Sequence, residues 1–583
     1  MPGGLLQLVA VGAQNELVNG SPSMTHFRAV YRRHTNFAME SIRMGFSASN
    51  LEFSATGTKT LSCRIDRYAQ LLHDTYLVLT LPDIWSPLKY LGTAALPPGY
   101  GAGTQTQTAP NAIGYEFQWI DNIGYNMIDR VELSMNGQVI QTLSGEWLKL
   151  YSYMTHDRNK RQIVDQMVGN VPALNDPANA YDRRNQYPHA ITPITTPTIA
   201  PMTTVPEPSI RSRQLVVPLH FWFSENPGVA LPRAALQNSE VYINVTLRSL
   251  TDLYTVIDVN PANTATYGQR VKPLNYPLQL FLSPPTTAGD PSNTILTNFF
   301  PDPYLEGNFI YLTETEWNQI AKADTTVLIK TVRYVGKEGQ FGGNTDLEIP
   351  MYNLVTRVVF ATHRSDRLLA NDWDNYTNWA DPYRAPWTPV GTTGPLSLYS
   401  SGQQQISSIF PRDPLIDGVL LFDAKERFQT KPLPYFSLLQ MYRHTTGDAP
   451  GLPGVYMYSF SLDHDQYQPS GAVNGSLFNK VILRLTLQQP LPQASTTTGA
   501  PTTNIVCVLK STIFSQNPTI IPAANVNLRN EDGSLVYNPS DIVTVVQGND
   551  NVIFVYTYTV GVYVEAVNFL RIVSGLGNLV FAN

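Results

Sequence analysis

Cysteine is nearly absent from this sequence: Cys63 and Cys507 are the only two among 583 residues. Two lone thiols form neither a disulfide framework nor a zinc site. Long apolar runs are lacking too, because residues 5–13 fall short of the roughly 20 residues that cross a bilayer. The first arginine is Arg28, so the basic start of a signal peptide is also missing. We therefore expect a chain that is made in the cytosol and stays unprocessed.

Charge is scarce as well. Charged residues make up 14% of the sequence, against the roughly 25% of an ordinary soluble protein. The formal net charge is −6 and neither end carries a basic tail. Both facts argue against direct binding to nucleic acid, because such proteins neutralise phosphates with lysine and arginine. The chain is rich in tyrosine, phenylalanine, proline and glycine, and a sparsely charged, aromatic surface indicates coverage by partner subunits.

Catalytic and metal-binding patterns are also missing. The nine histidines are scattered, and no two lie closer together than His26 and His34, whereas a cupin-type metal site needs two histidines two residues apart. Residues 463–465 (Asp-His-Asp) are the only dense cluster of acidic and histidine residues, and we interpret them as a solvated loop. We predict no cofactor, no metal and no enzymatic activity. A hydrolase that uses a carboxylate pair such as Glu116 and Asp121 stays open as an alternative.

The sequence is organised as an internal repeat. Residues 241–247 alternate between apolar and polar side chains, which is the period of a strand with one buried face. Such a repeat predicts two copies of one β domain. Five features recur in the same order in the two halves, namely residues 75–80 and 356–362, 128–133 and 416–421, 215–224 and 455–462, 241–247 and 481–487, and 308–312 and 568–572.

The repeat sets the expected domain bounds. Long segments rich in proline, threonine and glycine lie between the predicted strands, where added loop length costs little free energy. Such loops are usually functional surfaces. We expect an N-terminal arm over residues 1–25, a first β domain over 26–312, a linker helix over 313–325, a second β domain over 326–570 and a C-terminal tail over 571–583.

Several local signals place individual elements. Asn136-Gly137 predicts a hairpin turn, because both central residues of a type I′ turn need a positive φ. Ser144 is placed to cap a helix over residues 145–151, and Thr313 with Glu316 has the spacing of a capping box. The aromatic segments 215–224 and 455–462 are predicted to be strands. We expect the cores to be anchored by Phe221, Trp222, Phe223, Tyr458 and Phe460.

Two kinds of surface site follow from the sequence. Asn375 lies in a predicted loop and is the best candidate for N-glycosylation, and Asn474, after a tight turn, is the second. Basic residues cluster just after the arm and include Arg32 and Arg33. We interpret this cluster either as surface ion pairs or as contacts with phosphate groups or acidic partner proteins.

Several motifs distributed over the whole chain resemble a known family. These motifs are residues 3–10 (GGLLQLVA), 31–42 (YRRHTNFAMESI), 145–148 (GEWL), 221–223 (FWF), 226–228 (NPG), 468–471 (QPSG) and 570–575 (LRIVSG). Together they are similar to the major capsid proteins of large eukaryotic double-stranded DNA viruses.

The resemblance implies an all-β double jelly roll: two tandem eight-stranded sandwiches with long loop insertions and a few short helices. It implies that three chains form a pseudo-hexameric capsomer, which tiles the icosahedral shell of a large DNA virus assembled in the host cytoplasm. The implied partners are neighbouring capsomers, minor capsid and penton proteins and a nearby internal membrane, with the outer loops facing the host. The arm of such proteins lies under the capsomer, so the implied contacts to the shell interior are Leu5, Leu6, Leu8, Val9, Arg32 and Arg33.

A carbohydrate-binding jelly-roll surface protein is the alternative function. Its sugar-binding residues would be aromatic side chains of the long loops, such as Trp373, Trp379 and Trp387. Under this alternative, replacing the three tryptophans with alanine should abolish glycan binding by the isolated protein.

Overall fold

The computed structural model describes two β domains and the short helices around them. The helices are α1 (Gly3–Val9), α2 (Ala13–Asn19), α3 (Ile123–Asn126), α4 (Gly145–Thr155), α5 (Arg158–Val168), α6 (Pro172–Asn175), α7 (Glu314–Lys322) and α8 (Gln440–His444). The residues that the structure describes are 3–48, 51–54, 57–86, 88–90, 112–184, 186–190, 207–258, 270–271, 278–284, 299–322, 324–340, 342–378, 412–447, 452–488, 505–507, 519–521, 527–529, 544–547, 552–554 and 557–581.

The first half of the chain folds into two facing sheets. Its strands are β1 (Phe37–Gly45), β2 (Lys59–Arg64), β3 (Leu71–Leu81), β4 (Leu88–Tyr90), β5 (Ala112–Trp119), β6 (Ile128–Met135), β7 (Gln138–Ser144), β8 (Arg213–Pro218), β9 (Leu231–Pro232), β10 (Val241–Leu247), β11 (Tyr254–Asp258), β12 (Arg270–Val271) and β13 (Tyr304–Leu312). One sheet has the order β1-β13-β3-β8, with β9 beside β3, and the other has the order β2-β10-β6-β7. Each sheet pairs a strand from the start of the domain with one from its end, which is the strand order of a jelly roll.

The second half repeats this arrangement. Its strands are β14 (Thr325–Gln340), β15 (Gly343–Glu348), β16 (Leu354–Arg364), β17 (Leu415–Phe422), β18 (Lys425–Glu426), β19 (Lys431–Pro432), β20 (Val455–Ser459), β21 (Val473–Asn474), β22 (Val481–Leu487), β23 (Ile505–Cys507), β24 (Thr519–Ile521), β25 (Asn527–Arg529), β26 (Thr544–Gln547), β27 (Val552–Phe554), β28 (Tyr558–Val573) and β29 (Leu576–Leu579). The two facing sheets have the orders β14-β28-β16-β20 and β15-β22-β17-β18. Strand for strand this is the order of the first half, so the predicted double jelly roll is confirmed.

The long connections between jelly-roll strands build small sheets of their own. In the first half, β12-β11-β5-β4 form such a sheet, and β5 and β11 pair antiparallel between Trp119 and Tyr254 at one end and Tyr115 and Asp258 at the other. In the second half, β23-β26-β24 and β25-β27 form two further sheets. These additions lie outside the eight-stranded framework and leave its order unchanged.

The predicted hairpin and helix start are confirmed. Asn136 and Gly137 join β6 to β7 with φ of 51° and 81°. The hydroxyl of Ser144 accepts a hydrogen bond of 3.1 Å from the Trp147 backbone N–H, so α4 begins at Gly145. Only glycine fits there, because a Cβ would stand 2.2 Å from the carbonyl oxygens of two neighbouring residues. The helix runs one turn further than expected, to Thr155.

The segments that flank the second jelly roll differ in detail from expectation. The carboxylate of Glu316, expected to close a capping box for α7, accepts a hydrogen bond of 3.0 Å from the Thr35 hydroxyl. The expected C-terminal tail is mostly strand, because β28 continues to Val573 and pairs with β29. The turn between them contacts the first jelly roll, where the Asn238 backbone N–H donates to the Gly575 carbonyl at 3.1 Å.

The prediction that residues 215–224 form one strand is wrong. Strand β8 ends at Pro218, and Trp222–Ser224 form a single 3-10 turn that is buried with Phe221. The corresponding segment of the second half, residues 455–462, is also only partly a strand, because β20 ends at Ser459. A run of aromatic residues is buried in either conformation, so apolar character alone does not separate a strand from a buried turn.

Candidate functional site

The two jelly rolls meet at an extensive interface, here called the seam. In sheet β14-β28-β16-β20, strand β16 is buried on both sides. Val358 and Phe360 pack in the core of the second jelly roll, whereas Val359 and Ala361 belong to the apolar cluster that contains the first core. Alternate residues of a strand point to opposite faces. One side of this sheet therefore completes its own sandwich, and the other side packs on the first jelly roll.

Helix α4 of the first jelly roll lies against this sheet. The ring centroid of Trp147 is 5.4 Å from that of Tyr563, whose hydroxyl donates a hydrogen bond of 2.6 Å to Glu146. The other carboxylate oxygen of Glu146 is 2.8 Å from Nε2 of His363, and Arg367 contacts Nδ1 of the same ring at 2.5 Å. Burial alone would raise the pKa of Glu146, but His363 and Arg367 hold that pKa well below its usual range. Glu146 is therefore an ionised group inside the seam.

A buried arginine lies at the centre of the seam. Arg357 is 0% exposed, and its Nε and Nη2 each lie 2.7 Å from one carboxylate oxygen of Glu565. Its Nη1 is 3.6 Å from Asp465, and its guanidinium carbon lies 5.5 Å from the centre of the Trp147 ring. A charge in such surroundings persists only because its partners are in place.

Two lysines make ion pairs that cross the seam, whereas the partners of Arg357 lie in its own jelly roll. Lys149 of α4 contacts the Asp374 carboxylate, which also accepts a hydrogen bond of 2.7 Å from Asn126. Lys330 of β14 lies 2.8 Å from Glu225 of the first jelly roll. Burial raises the pKa of Glu225 above its usual value, although Lys330 opposes that shift. Each pair has one partner in each half, so the ion pairs fix which faces of the two jelly rolls meet.

The interpretation of residues 463–465 as a solvated loop is wrong. His464 is 3% exposed, and its backbone carbonyl accepts a hydrogen bond of 2.9 Å from Lys330. Asp465 lies beside Arg357, and one of its oxygens accepts a hydrogen bond of 2.9 Å from the Thr446 hydroxyl. The charges that accompany this loop come from distant parts of the chain, so no local pattern could place it in the seam.

Two histidines, the buried His156 and the partly buried His220, lie at the C-terminal end of α4. Nδ1 of His156 is 3.0 Å from the Ser152 hydroxyl, and the rings of His156 and His220 are 5.5 Å apart. Burial, assisted by Lys160, lowers the pKa of His156 to about 4. Burial and the neighbouring His156 lower the pKa of His220 to about 3. Both rings are therefore neutral in the folded chain at pH 7.

This histidine pair predicts a loss of stability in acid. A histidine whose pKa is lower in the folded state takes up protons first in the unfolded state, near its ordinary value of about 6.5. Stability is then present above pH 6.5 and is lost progressively as the pH falls towards 4. Urea unfolding at a series of pH values should show a smaller acid-induced loss for His156→Gln than for the wild type. A matched change at the exposed His26 should leave the profile unaltered, and equal profiles for all three proteins would contradict this account.

The residues expected to contact the shell interior lie in the exposed arm or just after it. No side chain of α1 or α2 is buried. Nothing in the described part of the chain therefore covers this apolar segment. The exposed fractions are 49% for Leu5, 51% for Leu6, 75% for Leu8 and 73% for Val9, and Arg32 and Arg33 are exposed as well.

The expected core and glycosylation residues differ in burial. Phe221, Trp222 and Phe223 are at most 2% exposed, whereas Tyr458 and Phe460 are only partly buried beside the second core.

Asn375 is 1% exposed, and its side-chain oxygen accepts hydrogen bonds from the backbone and the hydroxyl of Thr377. Asn474 is exposed. Of the two candidate acceptors, only Asn474 is accessible in this fold.

Trp373 is not placed to stack on a sugar. Its indole N–H donates a hydrogen bond of 3.0 Å to the Asp252 carbonyl, and the Arg248 guanidinium lies 4.1 Å from the centre of its ring. Trp379 and Trp387 lie outside the described residues. The one tryptophan of the three that the structure describes therefore serves a packing role.

A cavity of about 510 Å³ opens beside the seam between β7 and β14. Arg130, Gln141, Arg333 and Tyr352 contribute to its lining, which holds no carboxylate, histidine or cysteine among the described residues. Over the described ranges as a whole, no group of three or more His, Cys, Asp and Glu side chains is arranged to hold a metal ion. The same ranges contain no helix with the length and apolar character needed to span a membrane.

Comparison with known families identifies the family to which this chain belongs. The family model "Major capsid protein N-terminus" matches residues 25–279, and "Large eukaryotic DNA virus major capsid protein" matches residues 316–536. The chain belongs to this family. The resemblance drawn from the motifs is thereby confirmed, and the chain is a major capsid protein of large DNA viruses.

Curated relatives of this capsid protein are similar over nearly their whole length. The major capsid protein of Chrysochromulina ericina virus is 28% identical over 567 residues, covering 84% of this chain and 94% of the relative. That of Phaeocystis pouchetii virus is 25% identical over 85% of this chain and 95% of the relative. That of Paramecium bursaria Chlorella virus 1 is 24% identical over 100% of this chain and 100% of the relative. These relatives are structural capsid proteins, in agreement with the prediction that the chain is not an enzyme.

Solved structures share the fold of this capsid protein. A chain of the PBCV-1 virus capsid has a TM-score of 0.55 at 20% identity, covering 96% of this chain and 100% of that chain. The Faustovirus major capsid protein has a TM-score of 0.56 at 12% identity, covering 97% and 95%. Both similarities extend over the two jelly rolls together, as expected for a conserved double jelly roll.

Proposed function

We propose that three copies of this capsid protein form a capsomer with six jelly rolls at its perimeter, which tiles the icosahedral shell. The observation that carries the proposal is the repeated strand order of the two halves. Two similar domains under threefold symmetry present six similar edges, so one gene product can fill a nearly hexagonal lattice. The seam supports this role, because buried ion pairs hold the two jelly rolls in one relative orientation.

Light scattering on the purified protein tests the trimer. The mass in native salt should be three times 64.8 kDa. Deleting residues 1–25 should leave the protein trimeric, with three times the mass of the shortened chain, because the arm makes no buried contact in α1 or α2. A stable particle of 64.8 kDa at micromolar concentration would count against the trimer.

The arm is proposed to face the interior of the shell. Leu5, Leu6, Leu8 and Val9 expose an apolar surface, and Arg32 and Arg33 add positive charge behind it. Exposed apolar helices followed by basic residues suit contacts with minor capsid and penton proteins and with an internal membrane. Deletion of residues 1–25 should therefore prevent the capsomer from binding the proteins and the membrane inside the shell, while the capsomer itself stays intact.

The remaining assignments follow from this placement. We propose that residues 26–312 and 326–570 act as the two jelly-roll units, joined by the linker at 313–325, and that the chain resides in the virion after assembly in the host cytoplasm. The outer loops are proposed to face the host surface, and the exposed Asn474, which lies in β21 rather than in these loops, is proposed as a glycan acceptor. The net charge of −6 suits a shell protein that does not bind nucleic acid directly.

A further inference from the structure

The surroundings of Lys149 differ from those of the other lysine that pairs across the seam. Lys330 has a carboxylate and a backbone carbonyl as its partners. Lys149 contacts the carboxylate of Asp374 and also lies 3.4 Å from the side-chain oxygen of Asn126. The lysine side chain is 1% exposed, and its ammonium nitrogen lies 4.9 Å from the centre of the Tyr376 ring. An amine, an amide and a carboxylate therefore meet in one buried place.

The amide of Asn126 is held with its oxygen towards Lys149. Its nitrogen donates a hydrogen bond of 2.7 Å to the Asp374 carboxylate and another of 2.7 Å to the Asp121 backbone carbonyl. Both of these neighbours only accept hydrogen bonds, so the amide nitrogen must face them and the amide oxygen must face the lysine. Because a carbonyl bond is about 1.2 Å long, the amide carbon lies no more than about 4.6 Å from the lysine nitrogen. A small shift would bring these two atoms to the separation of about 3–3.5 Å at which bonds form.

Asp374 is placed to move protons between the two nitrogens. One carboxylate oxygen, Oδ1, contacts both Nζ of Lys149 and Nδ2 of Asn126. The other oxygen accepts a hydrogen bond from the Asn122 amide, which fixes the orientation of the carboxylate. A carboxylate that touches both an attacking and a departing nitrogen can take a proton from the first and deliver it to the second.

The three groups come from both halves of the chain. Asn126 ends α3 and Lys149 lies in α4, both in the first jelly roll, whereas Asp374 follows β16 of the second. The cluster is therefore complete only after the two jelly rolls have packed together. Asn126 is 5% exposed and the side chain of Asp374 is 10% exposed, so the closed seam also keeps most water away.

We propose that Lys149 and Asn126 become joined by an isopeptide bond, with Asp374 as the acid–base residue. The lysine ammonium gives a proton to Asp374, and the free amine attacks the side-chain carbon of Asn126. The new C–N bond forms as the electron pair of the carbonyl moves to Oδ1. When this pair returns, the bond to Nδ2 breaks and its electrons leave with that nitrogen. Two protons of the original ammonium pass through Asp374 to the departing nitrogen, which leaves as ammonium, so Asp374 ends ionised and no other reactant is consumed.

The bond would fix the helix that the first jelly roll contributes to the seam. It ties α4, which carries Trp147 and Glu146 into the seam, to the preceding helix α3. A covalent link between residues 126 and 149 also restricts the unfolded chain, as other cross-links do. Since Asp374 comes from the second jelly roll, the bond would form only in chains whose two halves have docked correctly.

Mass spectrometry of the denatured full-length protein tests the proposal. The wild-type chain should be lighter than its sequence mass by one molecule of ammonia, and a protease digest should contain a branched peptide that joins Lys149 to Asn126. The branched peptide separates this bond from a succinimide at Asn126, which also loses ammonia but joins no second peptide. Lys149→Arg and Asp374→Asn should each give the full mass of their own sequence. The matched control is Lys330→Arg, which changes the other seam lysine and should still give the branched peptide.

The wild-type digest decides the matter even where a variant fails to fold. Unbranched peptides that contain Lys149 and Asn126, from wild-type protein with its full mass, would overturn the proposal. A branched peptide that joins Lys149 to Asp374, formed with loss of water, would overturn it as well, because Asp374 would then be the group attacked. An Asp374→Asn protein that still forms the bond to Asn126 would contradict the acid–base role. The bond lies within one chain, so each result is independent of the proposed trimer.

Discussion

Replacing Arg357 with methionine should lower the free energy of unfolding by about 3–5 kcal/mol. The guanidinium is 0% exposed and lies 2.7 Å from the Glu565 carboxylate and 3.6 Å from Asp465. Methionine fills much of the space but leaves two buried carboxylates without their cation. Urea unfolding monitored by tryptophan fluorescence measures the loss, because Trp147 lies 5.5 Å from the guanidinium carbon.

Two companion variants show whether the loss comes from buried charge. Arg357→Met combined with Glu565→Gln should recover part of the stability, because the closest unpaired charge is then removed. Arg484→Met breaks an exposed arginine–aspartate pair of similar geometry. Arg484 lies 2.6 Å from Asp346, and the two side chains are 45% and 47% exposed. That change should lower the free energy of unfolding by far less, because solvent screens exposed charges. Equal losses for Arg357 and Arg484 would contradict the description of the seam.

Replacing Trp222 with alanine should lower the free energy of unfolding by about 3–5 kcal/mol. The side chain is 2% exposed, and its ring packs edge-to-face on Phe223 at 5.4 Å. Its backbone N–H donates to the Gln141 side chain at 3.3 Å, and Gln141 in turn donates to the Lys330 carbonyl across the seam. The cavity left by alanine would therefore loosen both the first core and its contact with the second jelly roll.

Chemical denaturation of a matched series measures this effect. Trp222→Phe keeps an aromatic ring in place and should lose markedly less stability than Trp222→Ala. Tyr181→Ala, at a side chain that is 81% exposed, should change stability by no more than about 0.5 kcal/mol. An unchanged unfolding midpoint for Trp222→Ala would mean that this indole is not part of a packed core.

Much of the framework could be predicted from the sequence. Apolar and polar side chains alternate over residues 241–247 and 481–487 because one face of each strand is buried. These segments are strands β10 and β22. They occupy the same position in their two jelly rolls, as the repeat predicts. Such signals succeed because burial pattern, turn chemistry and repeat spacing all act within a few residues.

The seam could not be predicted in the same way. Arg357 and Glu565 are 208 residues apart in the sequence, and Lys149 and Asp374 are 225 residues apart. The first pair depends on the register of β16 and β28 within the second jelly roll, and the second pair depends on how the two halves pack together. Asn375 shows the same limit, because its sequence context is that of a loop and only the fold buries it.

Helix α5 was missed for a different reason. Its boundaries carry recognisable signals: the Asp157 carboxylate accepts a hydrogen bond from the Lys160 backbone N–H, and Gly169 ends the helix with φ of 79°. Its sequence is strongly polar, however, and only Arg161, Val164 and Val168 are buried. In a long connection between strands, the boundary residues were therefore the only usable indication of a helix.

The central claim is that each chain holds two jelly rolls of one topology in a fixed orientation through the seam. Three chains can then form a ring of six similar domains. Images of purified capsomers in negative stain test it most directly. Averaged particles should be threefold and show six lobes of nearly equal size around a centre. Averages with two lobes per particle, or with three lobes separated by gaps, would contradict the account.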